Sequence, residues 1–135
     1  MELRGSKGHE ATFTASGNMN TDAFQFRFVQ QSAGVNEDVY IATTSGSPNV
    51  VGVNQDKVLD NQHVQAVIDG LTKIRLASSL GAAIWLTTDA AGYAIQYTGQ
   101  SGAACLGRLI TGATSGTPGE MIFKQGPLTS SVAIV

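Results

Sequence analysis

Residues 50–53 (VVGV), 64–76 (VQAVIDGLTKIRL), 83–97 (AIWLTTDAAGYAIQY) and 105–123 (CLGRLITGATSGTPGEMIF) decide the fold. Each is rich in Val, Ile, Leu and Thr, and each is interrupted or closed by Gly, Asp, Asn or Ser. Apolar runs of this length, bounded by turn residues, are strand composition. None carries a 3.6-residue apolar period long enough for a helix. Within them, Asp69-Gly70 reads as a hairpin turn between strands at 64–68 and 71–77. Asp89 and Gly92 close a second hairpin between strands at 84–88 and 93–98.

Outward from this section the same texture continues. Phe24, Phe26 and Phe28 alternate with Gln25, Arg27 and Val29, a period of two that predicts a strand with one aromatic face. Residues 38–43 (DVYIAT) predict another strand, residues 45–49 a turn, and residues 54–61 at most one helical turn. Strands are expected at 104–110 and 120–124, separated by a Gly/Thr loop. The apolar ending Val132, Ile134, Val135 predicts a last strand at 130–135 that pairs with something. About nine short strands at this spacing make an all-β barrel or sandwich.

Residues 1–22 differ from the rest. They are rich in Gly, Ser, Thr, Asn and charge, and Leu3 and Phe13 are their main large apolar residues. Such a segment buries little against its chain entropy. It reads either as a frayed terminus or as an arm that a partner orders. Thr12, Phe13 and Thr14 have strand character suited to adding onto a sheet edge elsewhere. The expected organisation is a flexible or partner-ordered arm over 1–22 and a single β domain over 23–135. On that reading, deleting the arm weakens partner binding and leaves the domain folded.

Composition narrows the function. A chain of 135 residues is one domain with 42% hydrophobic residues, enough for a core without disulfides or a metal. Charged residues are only 13% and the net charge is −2, which gives no basic footprint for nucleic acid. A surface of Thr, Ser, Asn, Gln, Gly and Ala suits broad packing better than electrostatic steering. No early segment has the parts of a signal peptide, and no apolar run approaches membrane-spanning length. A soluble protein made without export is therefore expected. Cys105 stands alone in an apolar run and reads as a small buried hydrophobe.

No constellation points to catalysis. His9 and His63 are far apart and give no metal-ligand spacing. There is no Gly-x-Ser-x-Gly elbow, and the glycines of 111–119 lack the Gly-Lys-Ser/Thr of a phosphate loop. Asp69 and Asp89 have a turn role, and Asp56 and Asp60 lie in a polar loop. Trp85 lies in a strand and suits core or subunit-interface packing. With Tyr93 and Tyr97 it is the candidate for an interface or, in a different reading, a glycan platform. No catalytic, cofactor or metal residues are expected.

The order of the pieces resembles the small β-rich cement, or head-decoration, proteins of tailed bacteriophages. The resemblance rests on a Gly-Val strand (Val51, Gly52, Val53), a polar turn with an acidic residue (56–60), and a Val-rich strand ending in a Gly turn (64–70). A strand with a basic residue follows (72–76), then a Gly-Ala step and a strand into Asp-x-x-Gly (81–92). A Tyr/Ala-Ile strand (93–97) and a last pair of strands around a Gly/Thr loop (106–123) complete it. It covers a little over half of the chain, and the N-terminal 22 residues cannot be aligned. The resemblance implies a homotrimer on the outer surface of an icosahedral head, made in the bacterial host cytoplasm. It implies that the trimer clamps neighbouring major capsid protein subunits against the pressure of packaged DNA. No enzymatic activity, small-molecule substrate, nucleic acid or membrane is then expected. A phage tail or fibre β module and a glycan-binding β module are the alternatives.

Overall fold

The computed structural model describes residues 8–20, 24–31, 38–100 and 102–124. Among them the chain forms β1 (His9–Ala15), β2 (Phe28–Gln31), β3 (Asp38–Ile41), β4 (Val50–Asn54), β5 (His63–Arg75), β6 (Ile84–Thr88), β7 (Ala94–Gln96), β8 (Gly107–Thr111) and β9 (Pro118–Lys124). The fold is all-β, as the composition predicts. The predicted strand at 130–135, and Leu3 of the predicted arm, lie outside the described residues.

The strand order is β1-β3-β2-β4-β5-β9-β8-β6-β7, with a further β1–β5 pairing. That extra pairing closes β1, β3, β2, β4 and β5 into a five-stranded barrel. The other strands extend from the second half of β5. Leu76 and Ala94 form a parallel bridge that brings β7 back beside the end of β5. The chain is thus two curled β units that share one long strand.

This sharing corrects the hairpin expected at Asp69-Gly70. The 13-residue β5 runs straight through it. Asp69 is opposite His9 on one side and Lys124 on the other, and Gly70 is opposite Phe123. With ladder partners continuing on both flanks, the turn composition is overridden. Gly70 takes φ 109° at this point, a backbone conformation that suits glycine and that L side chains rarely adopt.

The aromatic alternation is also shortened. β2 begins at Phe28; Phe24 and Gln25 lie in a turn, and Phe26 has φ 64°. The cause is Asn54, fully buried at the end of β4. Its Oδ1 accepts from the Arg27 amide (2.9 Å) and its Nδ2 donates to the Phe24 carbonyl (2.6 Å). Its main-chain carbonyl accepts from the Phe26 amide (3.0 Å). One side-chain amide thus satisfies backbone groups that a straight strand would have given to a neighbour.

There are two apolar cores. Ala15, Met19, Val29, Val39, Val58, Val64 and Ala66 fill the barrel. Phe28, Val53, Ile74, Leu86, Leu109, Met121 and Phe123 belong to the core of the second unit, where it packs on the barrel wall. β2 and β4 therefore bury both faces, which is why Val50, Gly52, Val53 and Asn54 are all buried and Val51 is half-buried.

Gly107, at φ 150° on β8, permits close approach to β9: a Cβ there would overlap the Ile122 carbonyl oxygen. Gly107→Ala is expected to cost about 3 kcal/mol, because the obstruction is backbone and cannot rotate away. A urea titration followed by tryptophan fluorescence measures it. Cys105 is buried without a disulfide. Burial pushes its thiol pKa up, against smaller lowering by backbone hydrogen bonds at Gly107 and Leu86. A thiol reagent is expected to label Cys105 only as fast as the chain opens; rapid stoichiometric labelling of the native protein would contradict its placement.

Candidate interaction surfaces

The predicted arm residues Thr12, Phe13 and Thr14 lie in β1, within the chain's own sheet. They pair with Gln65, Val64 and His63 of β5, and Thr14 also pairs with Asp38 of β3. Gln65 Nε2 donates to Thr12 Oγ1 at 2.8 Å, and Phe13 packs against the barrel core. Period-two alternation explains the placement: Ala11, Phe13 and Ala15 turn inward between exposed His9, Glu10 and Thr12. Of these three only Phe13 is large, so the segment's composition looks polar although one face is buried.

The aromatic candidates separate into two places. Tyr97 donates its amide to the Trp85 carbonyl (2.7 Å), so these two are neighbours across β6 and the segment that leaves β7. Tyr93 lies at the opposite end of that hairpin. Its hydroxyl accepts from Arg27 Nη2 at 2.6 Å, and the Arg27 guanidinium sits 4.2 Å from its ring centroid and 4.9 Å from that of Phe24. The three do not form one platform.

Arg27 itself is a residue that the sequence reading passed over. It is buried where the two units meet, and Nη1 donates to the Ala91 carbonyl (3.2 Å). Its Nε is buried with no hydrogen-bond partner. The turn at Asp89 is held for this contact: Asp89 Oδ1 accepts from the amides of Ala91 (2.8 Å) and Tyr93 (2.9 Å). Tyr93→Phe removes one acceptor from a charged donor and is expected to destabilise by about 1.5 kcal/mol. The difference in thermal or urea midpoint reads it directly, and an unchanged midpoint would show the hydroxyl to be dispensable.

His9 and His63 stand at opposite ends of the β1–β5 ladder, His9 opposite Asp69 and His63 opposite Thr14. At 3.3 Å per residue along β5 they are roughly 20 Å apart. Among the described residues no three His, Cys, Asp or Glu side chains converge as metal ligands would. Asp56 and Asp60 serve the loop between β4 and β5: Asp56 Oδ2 accepts from the Gln65 amide (3.0 Å) and Asp60 Oδ1 from the Gly17 amide (2.8 Å).

The outward face of the second unit is more distinctive. Trp85 is opposite Arg108, Arg108 opposite Ile122, and Ile122 opposite Leu71, a row across four strands. The Arg108 guanidinium lies 5.5 Å from the Trp85 ring centroid. Ile122 is 46% exposed and Ile110, on the same face of β8 as Arg108, is 42% exposed. With Leu59 at 45%, these are the exposed large aliphatic residues among those described. A signal for them was present. Leu109-Ile110 and Met121-Ile122-Phe123 are consecutive apolar residues in strands, and alternation forces one of each set outward.

No protein-family model matches the chain, and no curated protein matches it. Among solved structures it is similar to the head fiber gp8.5 N base of bacteriophage phi29. The match has a TM-score of 0.56 at 16% sequence identity and covers 90% of this chain and 98% of that one. At that identity the likeness is one of fold, and it extends over nearly the whole of both chains.

Proposed function

We propose that this chain is a non-enzymatic structural protein of a tailed phage. As a homotrimer it binds the outside of the icosahedral head and clamps adjacent major capsid protein subunits. The observation that carries this reading is the near-complete fold likeness to the base of a phage head fiber. It coincides with the ordered strand set that resembles the cement proteins. The fold likeness and the resemblance in strand order both support the reading as a protein of the phage head.

The physical features are compatible with clamping. A chain with only 13% charged residues is suited to contacts made by packing and neutral hydrogen bonds. Three linked copies engage three sites at once, so modest individual footprints sum to strong attachment. Holding subunits together requires no turnover and no cofactor. A second reading is a base module that mounts a fibre on the head, favoured by the description of the phi29 neighbour as a fiber base.

Immunogold labelling of purified particles from the phage that encodes the chain tests the proposal. Gold over the head surface at many regular points is the expected pattern. Label confined to tails, or absent from particles, would overturn it. Sparse label at the foot of head projections would favour the fibre-mount reading.

A further inference from the structure

The described charges are unevenly divided between the two units. The barrel and its loops carry Glu10, Asp38, Asp56 and Asp60 against Lys57. The second unit carries Lys73, Arg75, Arg108 and Lys124 against Asp89 and Glu120, with Asp69 and buried Arg27 where the two units meet. Exposed apolar residues follow the same division. Leu59 stands among Asp56, Lys57 and Asp60 at the barrel end, a segment of net negative charge, whereas Ile110 and Ile122 stand beside Arg108 and Lys124, with Glu120 the one acidic residue on the β8–β9 face.

We infer that the Leu59 turn of one copy docks on the Ile110–Ile122 face of the next. The trimer is then a head-to-tail ring in which an acidic-rimmed apolar knob meets a basic-rimmed apolar face. This rests on the trimer reading above and adds its interface. The two patches differ in charge and shape, so their contact is heterologous, and three such contacts close a ring.

Two structural facts support this pairing. The patches cannot cover each other within one copy. Leu59 lies before the start of β5 and Ile122 is opposite Leu71 near its far end. From His63 to Leu71 that strand extends up to about 27 Å. The Leu59 turn is also pre-formed. The Gln62 amide donates to the Leu59 carbonyl (3.1 Å), and the Asn61 amide to the Ala15 carbonyl (2.8 Å). Gln62 Oε1 accepts from the Leu59 amide (2.8 Å), and Asp60 Oδ1 ties the turn to Gly17. A knob held this way loses little entropy on docking.

The test is a charge swap on the full chain, read by light scattering over a concentration series. Ile122→Glu places a carboxylate against Asp56 and Asp60, and Leu59→Lys places an ammonium against Arg108 and Lys124. Each single change is expected to raise the dissociation midpoint by about tenfold or more, and the double variant to recover most of it, because the introduced charges then attract. Circular dichroism establishes that each variant is folded. Leu59→Cys combined with Ile122→Cys gives a second readout. A short bis-maleimide should link copies in the double variant and in neither single one, since Cys105 is buried. A wild-type trimer of three times 14.0 kDa that ignores both single changes would overturn this interface and leave the trimer reading intact. A wild-type monomer at every concentration would overturn the interface together with self-association in solution. Singles that dissociate without recovery in the double variant would overturn the pairing of these two patches.

Discussion

Deleting residues 1–22 is expected to unfold the barrel, contrary to what the polar composition of that segment implies. β1 supplies six register pairs to β5 and the only link that closes the ring between β5 and β3 among the described residues. The deletion also takes away Ala15 and Met19, both fully buried, and half-buried Phe13. The Met19 amide and carbonyl each bond to the main chain of Val58, so the loop before β5 loses its anchor as well. Val29, Val39 and Val64 would then face water. Apolar burial and ladder pairing on this scale contribute more than about 5 kcal/mol, comparable with the whole stability of a small domain. Far-UV circular dichroism and a urea titration should show loss of the cooperative transition. Deleting residues 1–7 leaves β1 whole and should keep the transition, so that shorter truncation is the one that isolates any contact made by Leu3. A 1–22 deletion with the full-length midpoint would show that β1 is dispensable.

Phe123→Ala is expected to cost about 4 kcal/mol, near the upper end for truncating a buried aromatic residue. Phe123 is fully buried on β9, with its ring centroid 6.2 Å from that of Phe28. Its cross-strand neighbours on both sides are glycines, Gly70 on β5 and Gly107 on β8. Neither has a side chain that can move into the space, so the cavity stays open. Met121→Leu, in the same core but close in volume, should cost less than about 1.5 kcal/mol. Denaturant midpoints of the two variants separate a true void from general sensitivity of β9. Equal small losses would mean that the core collapses around the missing ring.

These two sites also show what the residues alone reveal. The β class was legible because strand and turn compositions alternate from residue 24 to residue 124. The count of about nine strands coincides with the nine observed among the described residues through two opposite departures. β1 hides in a segment where only Ala11, Phe13 and Ala15 turn inward, too few for hydrophobic content to register. β5 was divided because Asp69-Gly70 has turn chemistry, and only the partners His9, Lys124 and Phe123 keep it extended. Phe26 has the right alternation for a strand, yet the buried Asn54 amide claims the backbone around it. Each departure is a long-range contact overriding a local preference.

The interaction surfaces were less legible than the fold. Trp85 was identified and has Arg108 across the strand pair, but Tyr93 is occupied by Arg27 at the junction of the two units. Ile110 and Ile122 could have been found by asking which members of an apolar run must face outward. Pairing them with Leu59 needed the charge division between the two units, which appears only once the strands are placed.

The most direct test of the central claim is DNA retention by phage heads on heating, with and without the purified full chain. Heads prepared without the chain should release DNA at a lower temperature. Adding the chain should restore retention, with three copies bound at each threefold position of the capsid lattice. Heads that neither bind the chain nor gain resistance to heating would contradict the clamping account.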